Sequence, residues 1–266
     1  MLIARTYKNT LLRNLSAESI ERLRLHPVTF ELLHEIEFPG DPIKHLLFVE
    51  EGMAAMATTF DDGSQVGVGM YGYESVIGVS ALLGTKRSYR RIYTQIAGSG
   101  YSSPVEAAIQ EFQRGGDFQT LALRYVDVQL VQAAQSAACN AKHSVEQRLA
   151  RWLLHCVNRV HSDTYALSHD SLADMLGSSR PTITLAAGLF KERKLIEYSR
   201  GVMRIIDIEG LEKRACECSR ILKDYCDDYT KTLPDALGIA KKVPSSSIPL
   251  LSEVALRTGS PATPLG

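Results

Sequence analysis

The segment SHDSLADMLGSSRPTITLAAGLFKERKLIEYSRGVMR, residues 168–204, contains the most specific structural pattern of this chain. Ser168 is a good N-cap for a short helix with one apolar face, because its hydroxyl can accept a hydrogen bond from a free backbone N–H. Gly177 follows where the chain must turn sharply, since only glycine takes a positive φ without steric cost. Ser178 or Ser179 can then cap a second helix. The pattern predicts two short helices joined by a tight turn.

Small and branched residues stand at the positions that such a turn requires. Ala173, Gly177 and Ile183 have the spacing of a helix-turn-helix, in which a small residue lets the helices cross and a branched residue separates them. Residues 196–206, with a turn at 199–201, predict a β-hairpin. Two helices followed by a hairpin predict a winged helix-turn-helix.

A local excess of positive charge lies in the same stretch. Residues 178–204 contain six arginines or lysines and two glutamates, a net charge of +4, whereas the whole chain balances 30 basic with 30 acidic residues. Such a patch attracts phosphate, which favours DNA binding. The alternative, a solvated helix face in the helical hairpin of an enzyme, stays open from charge alone.

The composition is that of a globular protein with room for one large or two ordinary domains. Hydrophobic residues make up 45% and charged residues 23% of the 266 residues, which is typical of globular chains. The N-terminus lacks the continuous apolar region of a signal peptide, and no apolar run approaches the roughly 18 residues of a membrane span. We expect a cytoplasmic protein with no membrane partner.

The five cysteines form no familiar pattern. An odd number argues against a disulfide framework in a cytoplasmic chain. Cys216 and Cys218, with Cys226 nearby, offer thiols for a metal ion, yet their spacing matches no zinc pattern and no histidine completes the set. Buried or inert thiols are therefore expected, with no metal and no cofactor.

Short apolar runs divided by glycine, proline and aspartate fill the region from residue 29 to about residue 97. The predicted strands are 34–38, 46–49, 55–60, 66–70 and 92–97. Turn signals lie at 39–42, 51–52, 61–63 and 71–72. Regular short spacing of this kind predicts an antiparallel barrel or jelly roll.

A helical period begins at residue 105, and residues 118–144 contain no proline or glycine. Apolar residues recur near one side of this stretch: Phe118, Leu121, Tyr125, Val128, Val131 and Ala138. A helix of this length has too little neighbouring chain to cover it, so this side is predicted to form a dimer seam. An ordinary core helix is the alternative.

The rest of the chain completes the predicted organisation. Residues 145–160 form an amphipathic helix that supports the helix-turn-helix, and residues 211–229 form one closing helix. Five of the ten prolines follow residue 230, which predicts a flexible tail. The predicted domains are a β-roll (1–116), a dimerisation helix (117–144), a winged helix-turn-helix (145–229) and the tail (230–266).

This order of parts resembles the Crp/Fnr family of bacterial transcription regulators from about residue 7 to residue 226. The segments that carry the resemblance are LADMLG at 172–177, SRPTIT at 179–184, YSRGV at 198–202, GLE at 210–212 and CEC at 216–218, with Gly52, Gly63, Gly72 and Gly78 at β-roll turns. The resemblance implies an α+β fold: an N-terminal antiparallel β-roll (jelly roll), a long dimerisation helix and a C-terminal winged helix-turn-helix.

By the same resemblance, the helix formed by residues 179–191 enters the major groove of double-stranded DNA. Arg180 is the first candidate for reading a base, because a guanidinium can donate two hydrogen bonds to guanine. Thr184 is the second candidate. Pro181 stands where many members carry a polar base-reading residue, so its contribution is expected to be apolar contact or shape.

The remaining expected DNA contacts go to the phosphate backbone. Ser179 and Thr182, near the start of the same helix, are candidates for phosphate contacts, and so is Arg200 on the wing.

The sensory part departs from the cyclic-nucleotide binders of the family. They carry a glutamate for the ribose hydroxyl where this chain has Val79 after Gly78, and the lost polar partner costs about 1–3 kcal/mol. Arg90 and Arg91 still occupy the region of the arginine that neutralises the cyclic phosphate. These four residues are the candidate pocket for an unknown small-molecule effector, which we expect not to be a cyclic nucleotide.

The expected function is that of a homodimeric regulator that reads an inverted-repeat operator, with RNA polymerase as a further candidate partner. One alternative uses the β-roll only as a scaffold, and another is a cyclic-nucleotide response. An iron–sulfur sensor is disfavoured because no cysteine precedes Cys139. An enzyme is not expected, since the sequence offers no paired carboxylates, Ser/His/Asp set or glycine-rich phosphate loop.

Overall fold

The structure, a computed structural model, describes residues 7–160 and 162–236. A 3₁₀ turn (Leu12–Asn14) and a short helix, α1 (Ala17–Arg22), precede the first sheet. Six strands follow: β1 (His26–Phe30), β2 (Glu35–Glu37), β3 (His45–Thr59), β4 (Gln65–Tyr71), β5 (Val76–Ile77) and β6 (Arg91–Pro104). The central strand β3 pairs with β4, β5 and β6, while β1 and β2 pair with β6, and all these pairings are antiparallel. The predicted antiparallel roll is confirmed.

The long strand β3 corrects the prediction of two strands separated by a turn at residues 51–52. Gly52 has a φ of +80° and lies at a register shift against β6, so the strand bulges there and continues. A Cβ at this position would lie 2.6 Å from the carbonyl oxygens of Ile96 and Ala97. The glycine therefore permits the close approach of two strands, a use that sequence alone does not distinguish from a turn.

Three helices follow the sheet: α2 (Val105–Gln113), α3 (Asp117–Lys142) and α4 (Val145–Val160). Helix α3 has nearly the predicted bounds, but most of the side assigned to a dimer seam faces the protein's own core. Phe118, Tyr125 and Val128 are buried among side chains of the β-roll. Leu123 and Leu130, which point elsewhere, are the exposed large apolar residues of this helix.

The winged helix-turn-helix is present as predicted. Its elements are β7 (Thr164–Ala166), α5 (His169–Leu176), α6 (Arg180–Glu192), β8 (Ile196–Ser199) and β9 (Val202–Ile205). The three strands form an antiparallel sheet in the order β7-β9-β8, so the wing hairpin is tied to the strand that precedes the first helix.

The predicted single closing helix is two helices, α7 (Ile208–Glu212) and α8 (Cys218–Ala236). Helix α8 runs beyond Tyr229, where the tail was predicted to begin, and residues 237–266 of that tail lie outside the described residues. It packs along α3, with the rings of Tyr125 and Tyr229 6.3 Å apart and a hydrogen bond from Tyr225 to Asp127. Helix α8 thus covers part of α3, which the sequence pattern does not predict. In the described residues, no helix is long and apolar enough to cross a bilayer.

The two domains share a second apolar core. Met53, Met70 and Tyr93 of the sheet pack with Trp152 of α4 and Met175 of α5. This core seats the helix-turn-helix against the outer face of the β-roll and leaves α6 on the side away from the sheet.

Candidate nucleic-acid interface

Local hydrogen bonds build the turn between α5 and α6. The hydroxyl of Ser168 accepts a hydrogen bond from the backbone N–H of Ser171 at 3.0 Å, and Ser179 accepts one from Thr182 at 3.3 Å. Gly177, with a φ of +54°, ends α5 in the left-handed region. Ser179 is therefore the cap of the second helix, and each cap satisfies a backbone N–H that the helix leaves free.

Helix α6 has one buried and one exposed side. The buried side consists of Ile183, Ala186, Ala187 and Phe190, which hold the helix on the second core. The exposed residues of the helix are Arg180, Pro181, Thr182, Thr184, Leu185, Gly188, Lys191 and Glu192. A helix with a buried apolar face and a bare opposite face at the domain surface can enter a major groove, which is wide enough to admit a helix.

Arg180 begins this exposed side. Its Nε lies 3.3 Å from a carboxylate oxygen of Asp170, and both side chains are about two-thirds exposed. An exposed pair of this kind contributes little to stability, so the guanidinium is free to exchange Asp170 for another acceptor. Arg180 therefore retains its donors for a base edge.

The hydroxyl groups near the start of α6 have partners within the protein. Thr184 Oγ1 donates to the carbonyl of Arg180 at 3.0 Å and lies 3.0 Å from Nδ1 of His169. The ring of His169 stacks on Tyr198 at 4.4 Å, and burial, followed by the charge of Arg180, lowers the pKa of this histidine. Ser179 and Thr182 contact each other through their hydroxyls at 2.8 Å.

The wing is a two-residue hairpin turn. Arg200 and Gly201 have φ values of 50° and 78°, the pair of positive values typical of a type I′ turn. The side chain of Arg200 is exposed at the tip of the wing. Arg204, on the following strand, lies instead within 3.5 Å of Asp163 and 3.7 Å of Glu197. Both arginines are exposed, and the ion pairs of Arg204 are weak exposed ones. Arg200 is therefore preferred as the candidate for a phosphate contact only for its position at the tip of the wing.

Leu185 is a surface residue that the sequence analysis missed. Its side chain is 72% exposed on α6, directly after Thr184, and Gly188 stands one turn further on with open space around it. An apolar side chain on this face can contact the methyl group of thymine. The signal was present in the sequence, because Leu185 lies out of phase with the buried residues of the helix.

The predicted effector residues separate into two groups. Burial raises the pKa of the Glu37 carboxyl, which accepts a hydrogen bond from Ser88 at 2.5 Å, interacts with Arg90 and is hydrogen-bonded by the backbone of Gly78. Gly78 and Arg90 thus converge on the half-buried carboxylate of Glu37, and Val79 is buried next to Gly78.

Arg91 points away from this group. Its guanidinium is paired with Glu35, donates to Gln65 and lies over the ring of Tyr93, 4.7 Å from the ring centre. A cavity of about 500 Å³ opens near Glu37, and its lining includes His34, Lys44 and Ser88. None of the four predicted effector residues belongs to that lining.

The chain is similar to known proteins over most of its length. The model of the Crp-like helix-turn-helix domain matches residues 147–214. A global nitrogen regulator from Nostoc sp. is 28% identical over 65% of this chain and 81% of its own length. One from Synechococcus elongatus is 26% identical over 78% of this chain and 97% of its own length.

Solved structures share the fold of the chain. FixK2 from Bradyrhizobium japonicum superposes with a TM-score of 0.62 at 14% identity, over 72% of this chain and 98% of that protein. A CRP-family transcriptional regulator from Thermus thermophilus superposes with a TM-score of 0.58 at 20% identity, over 71% of this chain and 96% of that protein. At these identities the match is one of fold.

Proposed function

The chain belongs to the Crp/Fnr family of DNA-binding transcription regulators, and we propose that it acts as a homodimer that reads an inverted repeat through α6. The observation that carries this proposal is the exposed side of α6, with Arg180 at its start and Leu185 near its centre. N-terminal residues of a recognition helix contact base edges. Arg200 on the wing then contacts the phosphate backbone beside the groove.

An exposed apolar stripe on α3 supports the dimer. Leu123, Leu130, Ala134, Ala137 and Ala141 are all exposed and recur at intervals of seven, four, three and four residues. This is the spacing of a coiled-coil seam, and the small alanines allow close approach of a second helix. A two-fold axis along this stripe would relate two copies of α6, which would read half-sites about one helical turn of DNA apart.

Glu37 argues against a cyclic nucleotide as the effector. Its carboxylate already occupies the donors of Ser88 and Gly78 and the charge of Arg90, so a cyclic phosphate would meet a negative charge there. Either a different small molecule binds the β-roll, or the roll is a scaffold for the dimer and for contact with RNA polymerase. Because the two curated relatives named above are global nitrogen regulators, nitrogen status is the first physiological signal to test.

Selection of bound sequences from random duplex DNA tests the proposal directly. The purified full-length protein is used without any added ligand, and the enriched sequences are read. Enrichment of an inverted repeat is the expected result, and the Arg180→Ala variant serves as the matched control, in which the enriched repeat should lose its preference at one base pair of each half-site. A folded protein that retains no duplex DNA above background at low salt would contradict the proposal.

The effector is tested on the enriched operator. Cyclic nucleotides added to the wild-type protein are expected to leave the operator affinity unchanged. A severalfold change in affinity with a cyclic nucleotide would show that the carboxylate of Glu37 does not exclude a cyclic phosphate.

A further inference from the structure

Four potential metal ligands meet at the junction of the two domains. Cys139 and His143 lie one turn apart at the end of α3, and Cys216 and Cys218 lie at the start of α8. Their ligand atoms all fall within 4.8 Å of one another. Cys226, the third thiol considered from the sequence, is not a member of this group. His143 is separated from Cys218 by 75 residues, so the missing histidine could not be found by local spacing.

Two distances within the group match those around a single tetrahedral ion, and the rest are no longer than 4.8 Å. The sulfur atoms of Cys139 and Cys216 are 3.5 Å apart, and the sulfur of Cys218 lies 3.5 Å from Nδ1 of His143. Zinc–sulfur bonds of about 2.3 Å and zinc–nitrogen bonds of about 2.0 Å place tetrahedral ligands roughly 3.5–3.8 Å apart. An iron–sulfur cluster inserts several atoms between its cysteines and needs a wider arrangement.

Outer partners already orient two of the four ligands. Nε2 of His143 faces a carboxylate oxygen of Glu217 at 3.3 Å, which leaves Nδ1 directed at the thiols. Gln135 donates a hydrogen bond to the sulfur of Cys218 at 3.0 Å. A carboxylate behind a ligating histidine and a donor to a ligating sulfur are typical second partners of metal sites.

Two buried arginines supply positive charge beside the group. Arg148 and Arg151 of α4 are almost fully buried and interact electrostatically with Cys139. In the described part of the chain, neither has a carboxylate within salt-bridge distance, and the Nε–H of each lacks a hydrogen-bond partner. Buried cations require compensation. A divalent ion with three thiolates and a neutral histidine carries a net charge of −1, which would offset one of the two positive charges.

We propose that Cys139, His143, Cys216 and Cys218 bind one Zn²⁺ in a closed, structural site. All four ligands lie outside residues 147–214, the part matched by the helix-turn-helix model. They bracket that domain, two before it and two after it, so the ion joins its entry and its exit to the same end of α3. The site would fix the direction in which the DNA-binding domain leaves the long helix.

Metal content and a cobalt spectrum test the site without reference to DNA. The full-length protein, purified under reducing conditions, is expected to hold about one Zn²⁺ per chain, and the Cys226→Ser control should hold the same amount. Cys216→Ser and Cys218→Ser should lose most of it. In case these variants misfold, Co²⁺ is titrated into the zinc-free wild-type protein, where intense tetrahedral d–d bands and a sulfur-to-cobalt charge-transfer band are expected.

The Glu217→Gln variant tests for a bound metal ion while all four candidate ligands stay in place. Because the carboxylate orients His143, zinc affinity is expected to fall roughly 10-fold to 100-fold with one site retained. Zinc-free wild-type protein that is fully folded and binds neither Zn²⁺ nor Co²⁺ at micromolar concentration would overturn the proposal. A Cys139–Cys216 disulfide in protein purified without reductant, combined with no metal binding after reduction, would also overturn it.

The expected effect of zinc on operator binding rests on the proposed function, and it is measured in a separate experiment. Chelation of the ion is expected to weaken operator binding by the wild-type protein at least several-fold, with recovery on adding Zn²⁺. Stoichiometric zinc without any DNA binding would leave the site supported and the proposed function wrong. Stoichiometric zinc with operator binding that is indifferent to chelation would contradict the proposed fixing of the domain.

Discussion

Arg180 and Arg200 are both exposed arginines of the same basic patch, and the proposed DNA complex predicts different roles for them. Arg180 begins α6, which we propose enters the major groove, and Arg200 stands at the tip of the wing. Arg180→Ala is expected to cost about 1–3 kcal/mol on the operator and to remove discrimination at one base pair. Arg200→Ala should weaken binding to all sequences alike and reduce the slope of log K against log salt by about 1.

Salt titrations on the operator and on a scrambled duplex measure both effects. The two variants are each other's control, because each removes one arginine from the patch. An Arg180→Ala protein that discriminates the operator as well as wild type does, or an Arg200→Ala protein that loses affinity only on the operator, would contradict the assignment.

The half-buried carboxylate of Glu37 should make the stability of the protein depend on pH. Burial raises its pKa above the ordinary value of 4.5, so the folded state binds a proton more tightly than the unfolded state. The stability associated with this group is present at low pH and is lost as pH rises through the folded pKa. Glu37→Gln cannot ionise, and its stability relative to wild type should therefore increase as the pH is raised from below 4.5.

Urea unfolding at a series of pH values measures this difference. Glu18→Gln, on the exposed side of α1, is the matched control, and its stability should follow that of wild type across the series much more closely. A wild-type protein that gains stability over Glu37→Gln as pH rises would show that Arg90 and Ser88 outweigh burial.

Helix α3 is the element through which we expect the protein to form a dimer. Leu130 is 64% exposed on the apolar stripe, whereas Leu185 is 72% exposed on α6. Leu130→Glu should place a charge in the seam and shift the protein to monomers at micromolar concentration, because a buried unpaired charge is costly. Leu185→Glu, an equally exposed change, should leave the dimer intact and weaken DNA binding. Light scattering after gel filtration distinguishes the two, and a Leu130→Glu dimer as stable as wild type would place the seam elsewhere.

The elements differ in how far sequence could predict them, and the difference follows from the range of the forces involved. The turn around Gly177 and the caps Ser168 and Ser179 are set by neighbours within a few residues, so the helix-turn-helix was predicted closely. The length of α3 was predicted for the same reason. The apolar side of α3 is covered by the β-roll and by α8. A periodic pattern does not indicate whether such a side packs against the same chain or against a second copy.

The candidate sites show the same limit. Arg180 and Arg200 lie where their local motifs put them, but the partner of Arg90 is Glu37, far away in the chain. The group around Cys139 and Cys216 depends on the packing of α8 against α3, as their sulfurs are brought together across 77 residues. Contacts of this range are decided by the whole fold, so spacing rules for zinc could not find the fourth ligand.

Across the whole molecule, a buried ion pair joins the DNA-binding domain to the β-roll. Arg159 of α4 donates to Glu74, after β4, at 2.7 Å, and both side chains are 7% exposed. His155 lies 3.2 Å from the same guanidinium, and burial holds its pKa well below the ordinary value, so it adds no competing charge at neutral pH. Gln95 of the sheet also donates to Ser171 of α5 at 2.6 Å. These contacts link the β-roll to α4 and α5, and both of those helices pack against α6.

Removing one partner of this ion pair should therefore lower the free energy of unfolding more than removing both partners does. Glu74→Gln leaves the Arg159 charge buried and unpaired, at a cost of roughly 3–5 kcal/mol, whereas the double variant Glu74→Gln/Arg159→Met should recover most of that loss. Urea unfolding measures the cost and the recovery. If the pair also sets the position of α6, the double variant should bind the operator with altered affinity despite its restored stability, because coupling between sites requires an element that both domains bias. Restored stability with unchanged operator affinity would show that the pair supports the fold alone.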